Sequence, residues 1–153
     1  MEYQKYAVLG GGSWATAIVK MLCENLDEVF WYMRNSDAID YIREHGHNPN
    51  YLTSVTFDTS KLRLTDQIDE VITRADILIF AIPSAFLEEE LSKIKSTLKG
   101  KTIFSAIKGI VPDRGKIVGE HFHTEYNIPF TDIGVITGPC HAEEVALERL
   151  SYL

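Results

Sequence analysis

Cysteine is scarce: Cys23 and Cys140 are the two in the chain, too few for a disulfide framework and without the spacing of a metal site. Long apolar runs are missing as well. The longest, around residues 77–83, falls far short of the ~20 residues that span a bilayer, so no membrane span is expected. The opening residues, MEYQKYAVLG, hold no basic-then-apolar export signal, and the cytoplasm is the expected location. Positive charge is in deficit, with 15 Lys and Arg against 22 Asp and Glu for a net charge of −7. Scattered lysines on an acidic protein exclude a nucleic-acid partner, because a phosphate backbone needs a clustered basic face. Any anionic ligand must be met by positive potential built locally.

What is present is 153 residues, 45% of them hydrophobic, with no repeat, low-complexity tract or linker. That is enough for one core and one domain over 1–153, since domains usually run to ~100–150 residues. Apolar runs alternate with helical patterns, the mark of an α/β fold. Tyr6, Ala7, Val8 and Leu9 read as a strand, and Trp14, Ala17, Ile18, Met21 and Leu22 recur on one helical face. A second strand is expected over 29–33, a helix over 37–45 and a short strand over 62–64, with Asp66 as N-cap of a helix ending near residue 74. Residues 76–83 have the continuous apolar character of a parallel strand buried on both faces. Leu87, Leu91, Ile94 and Leu98 form a helical stripe, with the Glu88-Glu89-Glu90 run on the solvated side. Strands over 102–107 and 133–137, a helix over 115–126, and a last helix carrying Ala142, Val145, Ala146 and Leu150 complete a doubly wound, mostly parallel sheet of the Rossmann type. No metal site is expected: His121 and His123 stand at i, i+2, which turns their rings to different sides of a helix.

The turn after the first strand reads Gly10-Gly11-Gly12-Ser13-Trp14-Ala15. This is G-x-G-x-x-A between a strand and a helix, the context a dinucleotide site requires. Gly10 permits the tight turn, Gly12 lets backbone N–H groups approach a pyrophosphate, and Ala15 allows close helix–strand packing. The helix N-terminus then faces the anion. At the end of the second strand, where an NAD site usually carries Asp or Glu ~20 residues past the glycines, the chain has Met33-Arg34-Asn35-Ser36. Arg34 can pair with a 2′-phosphate and stack on adenine, while Asn35 and Ser36 can hydrogen-bond a phosphate or a hydroxyl. The site is therefore expected to accept NADP as well as NAD.

Three later strand ends share the same edge of the sheet: Pro83-Ser84, Lys108-Gly109 and Gly138-Pro139-Cys140-His141. Lys108 would set an ammonium beside the nicotinamide end of the cofactor, able to polarise a carbonyl or hold a phosphate. N–H groups at the start of the last helix could face a second anion.

Together, Gly10 to Ala17, Trp31-Tyr32-Met33-Arg34, Asn48-Pro49-Asn50-Tyr51-Leu52, Ile82-Pro83-Ser84, Ser105-Ala106-Ile107-Lys108-Gly109 and Gly138 to Ala146 resemble the NAD(P)-dependent sn-glycerol-3-phosphate dehydrogenases, in order and spacing along essentially the whole chain. These enzymes interconvert glycerol 3-phosphate and dihydroxyacetone phosphate and supply glycerophospholipid backbones. The resemblance implies Ser13 and Trp14 at the cofactor pyrophosphate, Arg34 at the adenine ribose, Tyr51 near the cofactor and Ala142 against the nicotinamide. It implies Lys108 in contact with cofactor and substrate, and Gly138 and Cys140 in contact with substrate. Ala15 stands where most members carry glycine, and Cys140 where Ser or Thr is usual; a thiol is the weaker donor. The resemblance also implies a helical C-terminal domain, absent from the chain, that carries the general acid/base, so that the chain alone binds cofactor and turns over poorly or not at all. A homodimer is expected of the full-length protein, and the apolar side of the last helix is expected to be exposed. Two other readings stand beside this one: the cofactor lobe of a different two-domain dehydrogenase, and a free-standing dinucleotide sensor.

Overall fold

In the computed structural model, which describes residues 4–138 and 140–149, the chain runs β1 (Tyr6–Leu9), α1 (Ser13–Asn25), β2 (Val29–Tyr32), α2 (Ser36–His45), β3 (Leu62–Thr65), α3 (Ile68–Arg74), β4 (Ile77–Phe80) and α4 (Ser84–Leu91). It continues through β5 (Thr102–Ser105), β6 (Ile110–Val111), β7 (Lys116–Ile117), α5 (Val118–Tyr126), β8 (Ile133–Val135) and α6 (Ala142–Ala146). Six strands form one parallel sheet in the order β3-β2-β1-β4-β5-β8. The chain reverses direction across the sheet between β1 and β4, and a crevice opens there at the carboxyl ends of the strands.

The pleat sorts each strand between two cores. Val8, Trp31, Ile77 and Ile79 face α1, α2 and α6; Ala7, Leu9, Phe30, Leu78 and Phe80 face α3, α4 and α5. All four residues of β2 and of β4 are buried, as a central strand covered on both faces requires.

Several local expectations are corrected. The buried side of α1 is Ala15 to Val19 plus Cys23, with Met21 exposed, because both the sheet and α6 cover this helix. Gln67, without a side-chain bond, occupies the N-cap position of α3 that was expected of Asp66. The helix expected from residue 115 starts at Val118, after an antiparallel β6–β7 hairpin. Helix α4 stops at Leu91, so Ile94 and Leu98 pack from the connection that follows. Glu90 is not solvated: its side chain is fully buried. Ala142, Val145 and Ala146 are likewise buried, against α1, so the apolar side of α6 is not an exposed surface. Leu150 and Pro139 lie outside the described residues.

Candidate active site

The turn after β1 has no room for side chains at its start. Gly10 adopts φ +135°, and a Cβ there would sit 2.4 Å from the carbonyl oxygen of Ala81, a conformation and a distance only glycine tolerates. Two long-range bonds fix the turn. Trp31 Nε1 donates to the Gly10 oxygen at 2.7 Å in the buried core, and Asn48 Nδ2 donates to Gly11 O at 3.2 Å and Thr16 Oγ1 at 2.9 Å. The Oδ1 of Asn48 accepts from the backbone of Asn50 and Tyr51, so this one amide joins the glycine turn to the segment carrying Tyr51. Above Gly12 the space is open, with no atom within 4 Å of a Cβ built there. Gly12 is the N-cap of α1 and no side chain caps that helix, which leaves first-turn N–H groups directed at the open space.

Two cavities flank this helix end. The first is lined by Gly10, Gly12, Arg34, Asn35, Tyr51 and Pro83, with Asn48, Phe86 and Glu90 among its other walls. Half-exposed Arg34 lays its guanidinium 4.6 Å from the centre of the Phe86 ring and directs Nε toward Glu90 Oε1 at 3.7 Å. Asn35 Oδ1 accepts from Ala38 N at 3.1 Å as the N-cap of α2; this corrects its expected freedom to bind a ligand through that oxygen. The second cavity is lined by Trp14, Ala106, Ile107, Lys108, Gly109 and Gly138, together with the end of β8. Lys108 is exposed there, just past β5. The two cavities bring together residues from five strand ends on the carboxyl side of the sheet.

Other expected site residues lie elsewhere. Ala15 is fully buried under α1 and serves packing alone. Cys140 and Ala142 are buried in the core between α1 and α6, so a substrate contact through the Cys140 thiol does not fit its position. Ser13 opens α1 beside the glycine turn. Trp31, Asn48, Phe86 and Glu90 were not singled out as site residues, since each acts through partners remote in sequence. Among the described residues no group of His, Cys, Asp and Glu could hold a metal ion, and no helix is long and apolar enough to cross a membrane.

Residues 5–153 match the family model described as NAD-dependent glycerol-3-phosphate dehydrogenase N-terminus. The chain belongs to this family. A curated glycerol-3-phosphate dehydrogenase [NAD(P)+] of Ectopseudomonas mendocina is 35% identical over 150 residues, covering 98% of this chain and 43% of the relative. The Bacillus subtilis protein of the same name is 35% identical over 148 residues, with 95% and 43% covered. Among solved structures, glycerol-3-phosphate dehydrogenase from Saccharomyces cerevisiae superposes with a TM-score of 0.84 at 25% identity, over 98% of this chain and 46% of that one. The Plasmodium falciparum enzyme gives 0.82 at 27%, over 97% and 44%. The chain thus spans less than half the length of these glycerol-3-phosphate dehydrogenases, and it has their Rossmann-type sheet.

Proposed function

We propose that residues 1–153 form the dinucleotide-binding domain of an NAD(P)-dependent glycerol-3-phosphate dehydrogenase. The observation that supports this most directly is the open space above Gly12 at the uncapped start of α1, with a cavity on either side. A pyrophosphate fits that space, because backbone N–H groups and the helix dipole favour an anion there. The first cavity suits the adenosine half, with Arg34, Phe86, Pro83 and Tyr51 around base and ribose. The second suits the nicotinamide half, with Trp14, Lys108 and Gly138 beside it, Ser13 at the pyrophosphate and Ala142 supporting α1 from behind.

The cofactor supplies hydride chemistry at its nicotinamide ring, and the residues of this chain supply placement. Lys108, an ammonium on an exposed strand end, would hold the phosphate or polarise the carbonyl of dihydroxyacetone phosphate. Trp14 and Ile107 would keep water from one side of the reacting carbon. The proton donor for the resulting alkoxide is not supplied by the residues in the two cavities, since proton transfer needs a group within hydrogen-bond reach. On this reading the second lobe of the relatives carries it, the reaction runs in the cytoplasm toward glycerophospholipid precursors, and the whole enzyme is a homodimer.

Titration of the chain with NADH and NADPH, followed by an assay of NADH oxidation with dihydroxyacetone phosphate, tests the proposal. Saturable binding of dinucleotide with little turnover is the expected result. Absence of binding overturns the domain's role, and near-normal kcat overturns the requirement for a second lobe.

A further inference from the structure

Glu90 is a fully buried carboxylate that the proposed function leaves without a task. It stands on α4 in the wall of the first cavity. Its oxygens accept from the Tyr32 hydroxyl, 58 residues away in sequence, and from Lys93 Nζ at 2.7 Å, and Arg34 Nε lies 3.7 Å off. Burial and the neighbouring carboxylate push the Tyr32 hydroxyl well above its ordinary pKa, so it remains a donor. A buried carboxylate without such partners would be strongly disfavoured. The end of β2 has no acid of its own; α4 brings one to the same place.

We infer that Glu90 is a positioning residue that sets cofactor specificity: it orients Arg34 against Phe86 and offsets the positive charge at the adenine-ribose end, favouring a 2′-hydroxyl over a 2′-phosphate. The inference depends on the reading of this cavity as the adenosine site. Arg34 and Lys93 bring two positive charges against the single negative charge of Glu90. An incoming 2′-phosphate therefore meets a guanidinium already facing a carboxylate, and must bring its own charge close to that carboxylate. A 2′-hydroxyl meets no such opposition.

The experiment compares NADH and NADPH affinities of the chain by fluorescence titration for wild type, Glu90→Gln and Lys93→Met. Glutamine keeps an oxygen to accept from Tyr32 and removes the charge, and is expected to raise NADPH affinity relative to NADH by about fivefold. Lys93→Met leaves Glu90 less compensated and is expected to lower the same ratio about twofold. A loss of packing would weaken both cofactors alike and leave the ratio in place. An unchanged ratio in Glu90→Gln, or a shift toward NADH, overturns the inference while the dinucleotide reading survives. Failure of wild type to bind either cofactor overturns that reading instead. If Glu90→Gln does not fold, Lys93→Met decides alone, its side chain being 44% exposed: a lowered ratio supports the inference and any other result overturns it.

Discussion

The indole of Trp31 reaches across from β2 to hold the carbonyl oxygen of Gly10, 2.7 Å away and out of contact with water. The bond ties the second strand to the turn after the first at the point where that turn must remain open. Trp31→Phe keeps most of the ring volume and strands a buried acceptor, which costs about 1–3 kcal/mol. Urea unfolding of the variant is expected to show a lower midpoint with an unchanged m-value, and dinucleotide affinity is expected to fall with it.

Asn48 links the same turn to the Tyr51 segment through four bonds from one buried side chain. Asn48→Ala is expected to cost about 2–3 kcal/mol of stability, at the upper end for a polar deletion because several buried groups lose their partner together. Asn48→Asp cannot donate to Thr16 or Gly11 and is expected to rescue little. Thermal unfolding and NADH titration of both variants check this.

The sheet was legible in the sequence because its strands are buried on both faces and read as unbroken apolar runs, as Ile77 to Phe80 do. The glycine turn was legible because its chemistry is local. The β6–β7 hairpin was not, since two-residue strands carry no periodicity. Glu90 was misread for a related reason. Within Glu88-Glu89-Glu90 nothing local distinguishes the third residue; its burial comes from Tyr32, which approaches only when the sheet has formed. Asn35 showed the reverse limit: its end-of-strand position was clear, but its commitment to capping α2 depends on where the helix begins.

Lys108 is exposed and has no stabilising partner to lose in the second cavity. Lys108→Met is therefore expected to leave stability within about 0.5 kcal/mol of wild type and to reduce cofactor affinity several-fold. Calorimetric unfolding alongside NADH titration separates the two effects; a large loss of stability would count against the proposed role.

His121 is buried with neither ring nitrogen hydrogen-bonded, near Glu88, Arg114, Lys116, Glu125 and Tyr126. Burial is the main cause that lowers its pKa below the ordinary 6.5, outweighing the raising effect of Glu88. The unfolded chain thus takes up a proton before the folded one does. Stability from this group is complete above pH 6.5 and is lost as pH falls through the folded pKa, at no more than about 1.4 kcal/mol per pH unit. His121→Phe is expected to flatten the difference in unfolding free energy between pH 7 and pH 5.5; an equal slope in both proteins would refute it.

Burial raises the Cys23 thiol to a pKa of about 11, which leaves almost no thiolate at neutral pH. Peptide mapping after iodoacetamide treatment of the folded chain at pH 8 is expected to find Cys23 unmodified, and alkylated once the chain is unfolded.

All six strands of the main sheet run the same way, and so both cavities open on one rim of the molecule. The opposite rim, where β2 and β5 begin, is reached by the exposed turns at Asp27 and at Lys99-Gly100. Probes, tethers or fused partners attached at those turns would stand a full strand length away from the ligand, making that side the natural handle for immobilising or labelling the domain while its chemistry is watched.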